Sequence, residues 1–243
     1  MHVVIKMHDC ETIIEKVLNE RRSSLLINES QHICNLHHIP TPTFHVTATL
    51  DEAITKANKI GFPVVLKIVS PQILHKSDVG GVLLDIKSED ELKVGYEHLL
   101  SEVRRKAPSA KIKGVLVEKM MQSSIEVIVG GVRDSQFGPC IMFGMGGIFT
   151  EVYGDVAFRV APIDRIDALD LVREMKGSKI LEGIRGKPPS DIDSIINLLI
   201  NASDLMMEHD KIIQFDLNPV IVYPDGVYVV DSRIIVGQTE GGV

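Results

Sequence analysis

The sequence contains no tryptophan, and only 5% of its 243 residues are aromatic. Stacking of bases on aromatic platforms is therefore excluded as a main mode of binding. Cations are outnumbered: 26 Lys and Arg face 33 Asp and Glu, for a formal net charge of -7. A protein that tracks a phosphate backbone needs a basic surface, so nucleic acid is not an expected partner. A single nucleotide remains within reach, because a few local cations and backbone N–H groups suffice to hold it. Cysteine is also scarce. Cys10, Cys34 and Cys140 lie far apart, with no CxxC pair and no metal-ligand spacing. An odd cysteine count without a signal peptide fits a reducing compartment. No stretch approaches the ~20 apolar residues of a membrane span. The expectation is a soluble cytoplasmic protein.

Hydrophobic residues make up 44% of the chain and charged residues 24%, the balance of an ordinary globular protein. The length allows one or two domains with a sizeable core. Ile13, Ile14, Val17 and Leu18 form a helical stripe over 11–23. A second helix is expected from Asn28, with Gln31 three residues on, stopping before Pro40. Thr49 with Glu52 and Ser88 with Glu91 predict helix starts, and Gly61 a helix end. Apolar runs predict strands over 43–46, 63–69, 82–86, 114–119, 125–132, 139–143 and 156–163. Helices are expected over 164–175 and 191–208, and a hairpin pairs 212–222 with 227–235. Without strict βαβ alternation, the class reads as α+β. The break at Pro108-Ser109 places a subdomain boundary at 109/110, and residues 1–24 are set apart from 25–109 as an N-terminal helical extension.

Few positions carry chemistry. Lys67 sits among Val64, Val65, Leu66, Ile68 and Val69. An ammonium in such a strand must find an anion or reach solvent. It reads either as a phosphate ligand or as the polar side of a half-buried strand. Gly80-Gly81 ends the loop 70–81, and Gly144, Gly146 and Gly147 precede Thr150-Glu151. Each glycine group reads as a phosphate cradle or as a tight turn. Asp216 and Asn218 are two apart on a strand and share a face, away from Phe215 and Leu217. If Pro224-Asp225 is the two-residue loop, Tyr223 faces Gly226 and Asn218 faces Asp231. Those oxygens suit Mg2+, or are a solvated hairpin face. His75 stands in mid-loop beside Lys76. His2, His8, His32, His37, His38, His45, His98 and His209 read as surface or core-edge residues.

The ordered succession PVVLKIVS, HKSDVGGV, VLVEKM, EVIVGGVRDSQFGP, FGMGGIFTE, FRVAPI and FDLNPV resembles the β subunit of ADP-forming acetyl-CoA synthetase, a relative of succinyl-CoA synthetase. The resemblance covers about residues 25–236. It implies an ATP-grasp fold, in which two α+β subdomains grip ADP or ATP with Mg2+. By the same resemblance, Lys67 contacts the nucleotide phosphates and Glu118, Lys119 and Met120 read the adenine edge, largely through backbone groups. Glu126 lies near the ribose and Arg159 reaches the phosphates. Asn218 and Asp231 hold Mg2+, His75 is the phosphoryl-carrying histidine, and Asp216 orients it. The implied partner is an α subunit with the CoA-binding and acyl-transfer domains, in an α2β2 assembly. Two other readings stay open: a stand-alone ATP-grasp carboxylate ligase, which needs no loop histidine, and a non-catalytic nucleotide-sensing subunit.

Overall fold

The computed structural model of the chain describes residues 2–147, 154–183, 186 and 188–237, with side chains from residue 9 onward. Thr150 and Glu151 and the tail from Gln238 lie outside the described residues. Contacts divide the chain into two units. The smaller holds residues 26–28 and 42–122; the larger holds the described parts of 1–25, 29–41 and 123–243. Both expected boundaries are displaced. Strand β4 (Gly114–Lys119) hydrogen-bonds between β1 (Phe44–Thr47) and β2 (Val64–Val69), so it belongs to the smaller unit. Helix α1 (His2–Asn19) buries Cys10, Ile14 and Val17 in the larger unit's core, so residues 1–24 are not an extension.

The smaller unit is a four-stranded antiparallel sheet in the order β1-β4-β2-β3, with β3 at Val82–Ile86. Helices α3 (Leu50–Ile60) and α4 (Glu89–Lys106) cover one face. Both begin as their caps predict: Thr49 accepts from the Glu52 N–H and Ser88 from the Glu91 N–H. On α4, Leu92, Tyr96, Leu99 and Val103 recur at helical spacing and are buried against Val64, Leu66, Ile68, Val115 and Val117. Strand alternation then turns Val65, Lys67 and Val69 to the opposite face, beside Leu116 and Glu118.

The larger unit is built on β5 (Ile125–Asp134), β6 (Gly138–Met145), β7 (Val156–Val160), β8 (Ile212–Tyr223), β9 (Gly226–Val229) and β10 (Ser232–Val236). The sheet order is β10-β8-β5-β6-β7, with β9 also on β8. Helices α2 (Ile27–Leu36), α5 (Arg165–Glu174) and α6 (Ile192–Glu208) follow the expected stretches to within a few residues. Val127, Val129, Ile141, Phe143, Phe215 and Leu217 join the core under these helices. Alternate positions, among them Ile128, Gly130, Met142, Phe158 and Asp216, therefore point to the other face of the sheet.

The β8 hairpin keeps one register from Tyr223↔Gly226 through Val220↔Val229 to Ile235↔Gln214. No bulge intervenes at Gly226. The Asn218 N–H donates to the Asp231 carbonyl at 3.1 Å, and the Val230 N–H to the Pro219 carbonyl at 3.1 Å. Asn218 thus faces Asp231, as the two-residue loop requires. On the other side of β8, the register against β5 shifts between Val127↔Val220 and Val129↔Leu217. The extra residue falls at Asn218-Pro219, where proline has no N–H to give the ladder.

Candidate functional site

Lys67 is not on a solvated strand face. Its face of β2 is buried, and its Nζ donates to Oε2 of Glu118 at 2.5 Å. Lys67 pairs with Leu116 across the sheet, so Glu118 is its diagonal neighbour. Lysine and glutamate are only 5% and 1% exposed. The anion that the buried ammonium needs is thus partly supplied by the protein itself. The Glu118 carboxylate itself sits inside the unit. The backbone donors that follow are engaged as well. The Lys119 N–H donates to the Thr43 carbonyl at 2.9 Å, and the Met120 N–H to the Pro63 carbonyl at 3.1 Å. The Lys119 ammonium donates to the Gly61 and Phe62 carbonyls at 2.9 and 3.4 Å. Any adenine edge met here must be read through carbonyls or after these bonds exchange.

The loop after β2 presents His75 to solvent, between the buried anchor Ile73 and half-buried Lys76. The two glycines at its end close a tight turn. Gly80 is left-handed, with φ 69°, and ends a short 3-10 turn at Ser77–Val79. A Cβ on Gly81 would stand 2.5 Å from Cγ2 of Ile68 and 3.0 Å from the Lys76 carbonyl oxygen. The Gly81 N–H also donates to that carbonyl at 2.7 Å. The freely presented part of the loop is therefore the short stretch around His75.

In the larger unit, the face left uncovered by helices carries Asp216, Asn218, Asp231 and Arg233. Asp216 pairs with Arg233 on one side and with Gly130 on the other. Burial pushes the Asp216 carboxyl above the usual carboxylate range. The Asp231 charge adds to the rise, and Arg233 opposes it. Glu126 is exposed on the same face; its carbonyl accepts from the Gly146 N–H at 2.8 Å. A Cβ on Gly146 would meet the Glu126 Cβ at 2.8 Å, so that glycine is needed for close approach.

Arg159 does not join them. It pairs with Ile141 and shares the helix-covered face with Ala157 and Ala161. Its Nη1 donates to Oε2 of Glu174 at 3.2 Å, and its Nη2 to Oε1 of the same carboxylate, from the end of α5. This register turns the Arg159 side chain to Glu174 and away from the face that carries Asn218 and Asp231. On that other face β7 presents the exposed side chains of Phe158 and Val160. Of the histidines read as surface or core-edge residues, His37 and His209 are buried and adjacent.

The ATP-grasp domain family matches residues 16–236. The chain is 44% identical over 223 residues to the β subunit of acetate–CoA ligase (ADP-forming) I of Pyrococcus furiosus, covering 92% of this chain and 96% of that one. The chain belongs to this ATP-grasp family of ligase β subunits. It is also 44% identical over 238 residues to the acetate–CoA ligase (ADP-forming) I of Archaeoglobus fulgidus, where it spans 98% of itself but 34% of the relative. A solved acetyl-coenzyme A synthetase from Candidatus Korarchaeum cryptofilum superposes with a TM-score of 0.84 at 41% identity, over 94% of this chain and 100% of that one. That structure holds coenzyme A and Mg-AMPPCP, and its phosphohistidine segment points towards its nucleotide-binding site.

Within this ATP-grasp chain, the uncovered face fits a hard divalent cation. It offers carboxylate and amide oxygens, and the mutual repulsion of Asp216 and Asp231 is what such an ion relieves. Sequence reading missed Arg233, although it stands two residues from Asp231, and missed the carboxylate role of Glu118. The β2–β4 pairing that joins Lys67 to Glu118 links strands 50 residues apart, and no local pattern announces it.

Proposed function

We propose that this chain is the nucleotide-binding subunit of an ADP-forming acyl-CoA synthetase: acyl-CoA + ADP + phosphate ⇌ carboxylic acid + CoA + ATP. The observation that carries this reading is the match over nearly the whole length of a β subunit. The acyl and CoA steps then fall to an α subunit, in an α2β2 assembly. This chain performs the final transfer. The P–N bond of a phosphorylated histidine breaks, a P–O bond to the β-phosphate oxygen of ADP forms, and the electron pair returns to the ring nitrogen.

His75 is the carrier. Its neutral imidazole is a competent nucleophile near neutral pH, and its exposed position in the loop 70–81 lets it meet more than one reacting group. Asp216 accepts the hydrogen bond of the opposite ring nitrogen and so orients the imidazole; this needs the ionised carboxylate, which the guanidinium of Arg233 favours. Lys67 contacts the nucleotide phosphates and shares its charge with Glu118. The stretch 118–120 reads the adenine edge through carbonyls, and Glu126 binds near the ribose. Asn218 and Asp231 would hold Mg2+, which when bound offsets phosphate charge.

Calorimetry with the isolated chain tests the reading. It should bind Mg-ADP and turn over no acyl-CoA until the α subunit is added. Steady-state acyl-CoA turnover by this chain alone, or no Mg-ADP binding, contradicts it.

A further inference from the structure

Three helices of the larger unit bring together residues that this reading leaves unused. Cys10 lies on α1, His37 directly follows α2, and His209 caps α6. Their sulfur and ring-nitrogen atoms lie within 4.8 Å of one another, and all three residues are buried. Nε2 of His37 stands 2.9 Å from Nε2 of His209, with the rings edge to face. A carboxylate stands behind each ring. Glu11 Oε1 is 3.3 Å from Nδ1 of His209, and Glu208 Oε2 is 3.8 Å from Nδ1 of His37.

A carboxylate holds the proton on the ring nitrogen that faces it. Across 2.9 Å one Nε2 donates to the other. When both Nδ1 atoms carry the proton, both Nε2 lone pairs become available to a cation placed between the rings. A thiol completes a set of one sulfur and two nitrogens, the donors of a borderline-soft ion. Carboxylates behind ligating histidines are the usual outer support of such ions. We propose that Cys10, His37 and His209 form a site for a transition-metal ion of the zinc class, which pins α1, α2 and α6 together.

Between the two rings the geometry needs little change. Nitrogens bound at ~2.0–2.1 Å to a tetrahedral ion stand about 3.3 Å apart, so the rings part by about 0.4 Å. Three protein ligands leave one position for a fourth donor. Burial and the charges of Asp9, Glu208 and Glu11 push the Cys10 thiol up to about 12. The metal-free sulfur therefore keeps its proton. On binding, the S–H bond breaks, the metal–sulfur bond forms, and one proton leaves to solvent.

The test uses the untagged full chain, stripped with a chelator and titrated with Zn2+ or Co2+. One ion per chain should survive dialysis, the Tm should rise, and the Co2+ form should show a thiolate-to-cobalt charge-transfer band. Cys10→Ser should lose that band. Glu11→Gln leaves all three ligands in place and keeps the shape of the side chain behind His209; it should weaken affinity about 10–100-fold. Asp231→Ala should retain the ion, which separates this site from the magnesium face. Absence of a stoichiometric ion and of any Tm shift overturns the proposal. So does an unchanged Co2+ spectrum in Cys10→Ser.

Discussion

Lys67 joins the packing of the smaller unit to the proposed phosphate contact. Its ammonium and the Glu118 carboxylate are both buried. Removing one partner of a buried pair costs about 3–5 kcal/mol, whereas replacing both is often neutral. Lys67→Met alone should therefore lower stability by about that amount in chemical denaturation. The double variant Lys67→Met/Glu118→Leu should recover most of the loss without recovering Mg-ADP affinity. Full affinity in the double variant would make the pair purely structural.

Asp216 gives the opposite case. Its folded pKa is raised, by burial first and then by Asp231. A raised carboxyl contributes stability that is present below its unfolded pKa and lost as pH rises through the folded value. At neutral pH its charge is a cost to the fold. Asp216→Asn should raise the Tm by about 1–3 °C without nucleotide, flatten the stability loss above the unfolded carboxylate range, and impair phosphoryl transfer. A pH-stability profile unchanged by the substitution would contradict this account. Asp216 and Asn218 were legible as a pair from their spacing alone. Arg159 was not: its face depends on the β6–β7 register, and apolar Phe158 and Val160 beside it favour the reverse orientation.

At the scale of elements, the hairpin and the caps were readable because each is local. Tyr223 and Gly226 flank a two-residue loop, and the register runs from there without a slip to Ile235. The bulge at Asn218-Pro219 was not readable, since it exists only against β5. The glycines of β5 follow the same rule. A Cβ on Gly131 would stand 2.2 Å from the Phe215 ring of the neighbouring strand. Gly131→Ala should cost about 1–3 kcal/mol by overpacking, read as a lower midpoint in urea. Gly131→Ala with Phe215→Leu should recover part of it. The loop after β2 behaves differently. Gly81→Ala presses on Ile68 and the Lys76 carbonyl, so it should slow transfer through His75 while Mg-ADP affinity holds. Equal losses in both would show that the loop's closing point also shapes the nucleotide site.

At the scale of the whole molecule, the α+β class and the order of elements followed from sequence, but the division into units did not. The break at Pro108-Ser109 is real, since α4 ends at Lys106. The chain then returns to the same sheet as β4. A turn signal marks the end of an element and does not say where the next strand pairs. The same limit hid the Cys10, His37 and His209 cluster, whose members are separated by up to 199 positions. Among the described residues, no helix is long and apolar enough to cross a membrane.

The central claim is that His75 carries the phosphoryl group between acyl chemistry and ADP. The direct measurement mixes the chain with its α subunit, acyl-CoA and radiolabelled phosphate, without ADP, and assays acid-labile, base-stable label on this chain. The account predicts label on His75, its discharge into ATP when Mg-ADP is added, and loss of both in His75→Ala with Mg-ADP binding intact. ATP formation at the normal rate by His75→Ala would contradict it.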